Sequence, residues 1–308
     1  MQSISDRWAM LLKKHKTPLK IAALIVLCLL LALCLRVGGG GNASAPIVYP
    51  TLPASPEEMQ SRFAYLIPTA LDREEQVSPT ARVIDLSAVN GDLLLTEGGD
   101  YRLTGELKGC IRINTPEENV HLFLDGVNVR SVFGPALFCE NADKVIVTLL
   151  PGTENAFADS GHYEADSDAE ACVYCACDLT LNGAGNLSVN ALYKDAVRAK
   201  DRLRLLGEGE YNIRCKRTAL HGNDGIYAED GIYYLSSEKY GLKTTKKGTD
   251  GRGTLILAGG SWNILAGRYA FVTTMADLYV YNCNVRQNAV IAAYDAGGRA
   301  VIDPACMP

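Results

Sequence analysis

From about residue 120 onward, apolar and polar positions alternate in short stretches, and each stretch stops at Gly, Asn or Asp. Alternation with period two marks strands rather than helices. The stretches themselves recur at intervals of about 23 residues. One landmark is a glycine followed by two apolar residues that bracket an outer one. It occurs at Gly185-Asn186-Leu187-Ser188-Val189, Gly209-Glu210-Tyr211-Asn212-Ile213, Gly231-Ile232-Tyr233-Tyr234-Leu235 and Gly260-Ser261-Trp262-Asn263-Ile264. A second landmark, a small residue and then a large apolar one, follows each time: Ala196-Val197, Ala219-Leu220, Gly241-Leu242 and Ala270-Phe271. Ala136-Leu137 and Cys172-Val173 occupy the same slot earlier, and residues 153–170 and 246–253 are loops that lengthen the repeat.

Strands this short cannot form an independent sheet. Stacked as coils, each pairs with its equivalent in the next coil, which predicts an all-β parallel β-helix. Leu137, Val173, Val197, Leu220, Leu242 and Phe271 should then share one buried ladder. Asn128, Ser188, Asn212, Tyr234 and Asn263 should share an outward one, with Trp262 in the core beside Leu187 and Tyr211. An antiparallel sandwich is the rival, and it predicts no such fixed register.

The N-terminus follows a different pattern. The apolar run 21–35, flanked by Lys20 and Arg36 within a segment 21–37, is marginal for a bilayer core of about 30 Å. It predicts a transmembrane signal anchor, with a cleaved signal peptide as the alternative. Six of the 30 Lys and Arg residues lie in the first 37 positions. Positive residues stay inside, so residues 1–20 are expected in the cytoplasm and the rest outside, in a single-pass cell-membrane protein. A Gly/Pro-rich spacer at 38–56 and a possible capping helix at 57–81 lead to the β-helix at 82–308. The whole chain carries a net charge of −5, so the part outside the membrane is more acidic still. That excludes general nucleic-acid binding, which needs a basic footprint.

Chemistry is sparse. Cys172, Cys175 and Cys177 crowd together, but no second pair at zinc-finger spacing follows, so buried thiols, with a disulfide among them at most, fit better than a metal site. Residues 194–217 concentrate basic groups, including Arg198 and Arg217. Arg198 falls in the slot later held by His221 and Lys243. Arginine pairs with carboxylate and phosphate through two hydrogen bonds, so this strip is a candidate for an acidic chain. A solvated face neutralised by its own acids is the plain alternative. Tyr233, Tyr234, Tyr240 and Tyr269 lie on adjacent coils; Tyr240 and Tyr269 share one slot and predict either a platform for sugar rings or a packed corner. The acidic stretch 153–178 lacks EF-hand spacing.

The stretches VIDLSAVNGDLLLTEGGDYRLTGEL (83–107), LDGVNVRSVFGPALFCENADKVIVTLLPGTENAFAD (124–159), CDLTLNGAGNLSVNALYKDAV (177–197) and GLKTTKKGTDGRGTLILAGGSWNI (241–264) resemble the bacterial carbohydrate-binding β-helix family, related in shape to pectate lyases. The resemblance implies a right-handed single-stranded parallel β-helix, export, calcium, and binding of cellulose-like or acidic polysaccharides. Members of that family carry Asp-Gly-Ile at the second landmark, where the aspartate can help to hold calcium. Here the slot holds Pro135, Ala171, Asp195, Thr218, Tyr240 and Tyr269, so only Asp195 is kept. Asp201, Asn223 and Asp224 end nearby turns and could add oxygens; capping of corners by backbone hydrogen bonds is the alternative.

The reading is a membrane-tethered, non-catalytic polysaccharide-binding module. Its expected substrate-binding residues are Arg198, Arg217, Lys243, Tyr240 and Tyr269, and its expected calcium ligands are Asp195, Asp201 and Asp224. A pectate-lyase-type enzyme and a structural or adhesive surface scaffold are the alternatives.

Overall fold

A computed structural model of the chain describes residues 55–247 and 252–308. The expected cytoplasmic tail, anchor and most of the spacer lie outside the described residues. Among the described residues no helix is long and apolar enough to cross a membrane.

The chain winds into a parallel β-helix with three faces. One coil shows the plan: Asp178–Gly183 runs along the first face, Asn186–Ala191 along the second and Asp195–Ala199 along the third, before Arg202–Leu205 starts the next coil. Every strand pairing is parallel and joins equivalent strands of neighbouring coils. The long strand Asn119–Arg130 bends from the first face into the second and unites them into a sheet of 16 strands, while the third face is a separate sheet of nine.

The ladder predicted from the second landmark is present. Leu137 pairs in register with Val173, Val173 with Val197, Val197 with Leu220, Leu220 with Leu242 and Leu242 with Phe271. All six are buried. The preceding small residues are buried too, because the chain turns its corner there and both neighbours point inward. On the second face Leu187, Tyr211, Tyr233, Trp262 and Val285 stack in the interior. The rings of Tyr211 and Tyr233 lie 4.8 Å apart, and those of Tyr233 and Trp262 lie 3.8 Å apart. Tyr233 is therefore core and leaves the set of candidate platform residues. The outward ladder also holds: Ser188, Asn212, Tyr234 and Asn263 follow one another, with Ala156 between Asn128 and Ser188. Two of the landmark glycines, Gly231 and Gly260, have φ of +104° and +86°, a conformation that L side chains rarely adopt.

The helix is Pro56–Phe63, capped by the Ser55 hydroxyl, which accepts from the Glu58 N–H at 3.2 Å. It does not cap an end of the solenoid. Met59, Phe63 and Leu66 pack against Leu206, Tyr227, Ile256 and Tyr279, outward residues of the first face. Those outward positions carry apolar side chains, and the segment that follows the helix runs back across the coils as a strap. Asp72, fully buried, pins it: Lys144 Nζ lies 2.9 Å from each carboxylate oxygen, and the Thr180 hydroxyl donates at 2.6 Å. Burial alone would raise the Asp72 carboxyl, but these hydrogen bonds hold it well below the usual carboxylate range.

Candidate functional site

The third face gathers the candidate residues. Parallel register aligns Tyr174, Arg198, His221 and Lys243 as successive outward side chains, one per coil. At the corner where this face begins, Thr218, Tyr240 and Tyr269 are in register. Asp195 occupies the corner one coil earlier, where its Oδ1 accepts from the Thr218 N–H at 3.1 Å. Arg198, Arg217, Lys243, Tyr240, Tyr269 and Asp195 thus belong to one face of the solenoid and its entry corner, although up to 74 positions separate them along the chain.

The charges at its N-terminal end are organised internally. Asp195 is completely buried. Arg217 donates to it from Nε at 2.7 Å and Nη2 at 2.9 Å, and His221 Nδ1 lies 2.9 Å from Oδ2. Burial opposes its ionisation, yet these partners hold the Asp195 carboxyl well below its ordinary value. Glu170 collects Lys194 at 2.5 Å, Arg217 at 2.8 Å and Arg198 at 3.3 Å. One acid of the stretch before residue 178, Glu170, therefore supplies the counter-ion to three members of the basic cluster. Arg217 is committed to this network. Arg198 keeps a buried Nε without a hydrogen-bond partner.

The C-terminal end is more open. The Tyr240 and Tyr269 rings are nearly parallel, 12° apart, with centroids 6.4 Å apart. Lys243 Nζ sits 4.7 Å from the centre of the Tyr240 ring, and Arg268 donates to the Tyr240 hydroxyl at 3.3 Å. Both rings are half-buried, so each offers an edge or face to solvent.

Beside them lies a feature that the sequence pattern does not single out. At the corner between the second and third faces, a groove of about 540 Å³ runs past Leu192, Lys216, Glu238, Gly267 and Val290, on five successive coils. Gly267 opens it: a Cβ there would lie 2.1 Å from the Glu238 carbonyl oxygen, so no side chain fits. The groove continues onto the second face as a hollow of about 360 Å³ over Tyr234, Leu265 and Arg286. The available signal was Leu265, a leucine at an outward position of the alternation that is 55% exposed. Tyr240 follows Glu238 by two residues and Tyr269 follows Gly267 by two, at the start of the third face; neither ring lines the groove itself.

The proposed calcium ligands are not gathered at one point. Asp195 and Asp201 flank opposite ends of the strand Asp195–Ala199. Asp201 and Asp224 do meet, around a cavity of about 90 Å³, but Arg202 and Arg252 line it as well. Asp224 pairs with Lys246 and Arg252, each at 3.2 Å. Burial, then repulsion from Asp178 and Asp224, raises the Asp201 carboxyl. Among the described residues no cluster of three or more His, Cys, Asp or Glu side chains is placed to hold a metal ion. Calcium takes six to eight oxygens, and here the acidic oxygens face arginine and lysine, so this donor set does not fit it. The eight described cysteines are free thiols, with Cys139 and Cys177 sulfurs 3.8 Å apart.

Comparison with known proteins matches residues 90–296 to the family described as "carbohydrate-binding domain-containing protein". A protein of that description from Acetivibrio thermocellus is 30% identical over 128 residues, 40% of this chain and 45% of its own length. The chain thus spans less than half of the curated relative it matches. Among solved structures, a polysaccharide lyase-like protein from C. thermocellum, studied as a gadolinium derivative, superposes with a TM-score of 0.68 at 24% identity. That match covers 73% of this chain and 97% of the other, and it shows a shared fold.

Proposed function

This chain belongs to the carbohydrate-binding domain-containing family, and from that premise we infer that its β-helix binds an extended polysaccharide without cleaving it. The chain would lie along the solenoid axis, in the corner groove beside Tyr240 and Tyr269. One observation carries this reading: a groove spans five coils, and two nearly parallel tyrosine rings, one per coil, open the third face two residues beyond its lining residues Glu238 and Gly267. Successive coils are about 4.8 Å apart, so equivalent contacts repeat along a polymer laid in this direction. Lys243, Arg198 and Arg268 add positive charge to an acidic body, which favours an acidic chain such as a polyuronate. Binding without cleavage fits the burial of Asp195 and His221: the acid–base pair of this face is shut away from a chain lying over it. Residues 21–37 would tether the domain to the outer face of the membrane.

Titration calorimetry with a polyuronate and with a neutral β-glucan tests the reading. Tyr240→Ala should weaken binding by roughly 1 kcal/mol, about fivefold. Polyuronate affinity should fall with salt, because exposed charges are screened beyond about 8 Å at physiological ionic strength. Absence of binding to every glycan would refute the proposal. Release of unsaturated ends, seen as new ultraviolet absorbance, would instead establish the lyase reading.

A further inference from the structure

Three thiols meet inside the solenoid where the long loop 153–170 separates two neighbouring coils. Cys139 lies in the third-face strand Leu137–Asn141 and Cys175 in the next, Ala171–Cys175, and the two are register partners. Cys177 follows at the corner, just before Asp178–Gly183 opens the first face. The coils are still joined here, since the Ala176 N–H donates to the Cys139 carbonyl at 3.0 Å. Cys139 and Cys177 are both buried, and their sulfurs lie 3.8 Å apart although 38 positions separate them.

The repeat does not ask for cysteine at these positions. In the ladder of Cys139 and Cys175, the coil before has Ile113 and the coil after has Ala199. Leu179 pairs with Leu203, and two residues before Leu203 the next coil has Asp201 where this one has Cys177. Register partners in a parallel sheet hold their Cβ atoms about one strand spacing apart, about 4.8 Å. A disulfide needs them within about 4.5 Å, so Cys175 is poorly placed to bridge to Cys139. Cys177 stands beyond the end of that ladder and converges on Cys139 from the corner.

We propose that Cys139 and Cys177 are joined by a disulfide when the chain folds in oxidising surroundings, stapling two coils across the root of the loop 153–170. The structure shows the reduced form. The domain is expected outside the membrane, where disulfides form and persist. The oxidant is itself a disulfide, such as oxidised glutathione. One cysteine thiolate attacks a sulfur of the oxidant, forming a mixed disulfide and releasing one thiolate. The second cysteine thiolate attacks the first cysteine's sulfur and releases the other. The two cysteines lose two protons and two electrons, and the oxidant becomes two thiols. In the folded chain the hydrogen bond with Cys175, and then burial, raise the Cys139 thiol against the opposing effect of Cys177; the hydrogen bond with Cys139, and then burial, raise that of Cys177. The thiolate is the attacking species, so exchange takes place while these coils close, and the finished bond is shielded afterwards.

The full chain in mild detergent, unfolded with reductant and refolded with reduced and oxidised glutathione, tests this. After free thiols are blocked and the protein is digested, mass spectrometry should find the peptides of Cys139 and Cys177 joined, two hydrogens lighter than their sum. Cys283 and Cys306 are also neighbours, the Cys306 sulfur accepting from the Cys283 N–H at 3.3 Å, so stability is compared in a Cys306→Ala background. There, reductant should lower the urea midpoint by about 1 M. Cys139→Ala and Cys177→Ala should each abolish that shift and Cys175→Ala should keep it, whatever each substitution costs in packing. Blocked thiols at both Cys139 and Cys177, a bridge from Cys175 to either, or a reductant shift that survives Cys177→Ala would each overturn the proposal.

Discussion

Two arginines that look alike in the sequence have different tasks. Arg217 spends its hydrogen bonds on Asp195 and Glu170. Removing it leaves a buried carboxylate short of its main partner, so Arg217→Ala should cost about 3 kcal/mol of stability, read from the urea midpoint. Lys243 has a ring beneath it and open solvent beside it; Lys243→Ala should leave the midpoint unchanged and weaken polyuronate binding. Histidine supplies a second contrast. Burial lowers His121 from its ordinary value to about 4, against the opposing pull of Asp100. Its Nε2 lies 2.6 Å from the Thr148 hydroxyl, which donates onward to Asn182, so the neutral ring is the donor. Below about pH 6.5 the unfolded chain takes up a proton that the folded one refuses until about pH 4. Stability should therefore be complete above pH 6.5 and decline through that window, by up to about 3 kcal/mol. A His121→Gln variant should lack this part of the slope in denaturation series between pH 7 and 4.5.

At the scale of elements, the third-face ladder was legible because each coil repeats a small residue and then a large one, and parallel register turns equal position into contact. Leu220→Asp, which buries an unpaired charge in that ladder, should cost roughly 4 kcal/mol or more and lower the melting temperature sharply. The strap was only half legible. The spacing of Met59, Phe63 and Leu66 shows that one side of the segment is buried, but such a pattern does not say against what. The answer lay in Tyr227, Ile256 and Tyr279, outward residues that are apolar because the strap covers them. Asp72→Ala should free the strap, and limited proteolysis should then cut between residues 55 and 80 before it cuts the coils. The groove was least legible of all, since Gly267 shapes it by what it lacks and Leu192 and Val290 are otherwise ordinary surface residues.

Considered whole, the molecule is a ruler with regular divisions. If a polymer lies in the groove from the coil of Leu192 to that of Val290, affinity should rise with oligosaccharide length. It should level off once the ligand spans these five coils, roughly 20 Å. Calorimetry with a graded series of oligomers checks this, and a plateau at one or two sugars would place the contacts elsewhere. The acidity of the body acts at the same scale. It repels polyanions in general, so if an acidic chain is the ligand its hold should depend on the local cations, and selectivity is expected to track the spacing of its charges.

The strap has a consequence for how the molecule forms. A stack of coils is held by nearest neighbours and can in principle fray from either end, one coil at a time. Here Arg62 reaches the Tyr279 hydroxyl across 217 positions of sequence, while Asp72, ten residues further on, grips Lys144 and Thr180. The first described segment cannot complete its contacts until nearly the last coil has been synthesised. Early coils therefore assemble with their first-face apolar residues uncovered, and docking of the strap is a late, long-range step. Once docked, it couples coils that do not touch, so the stack should lose its structure in a single transition rather than unravel from its ends.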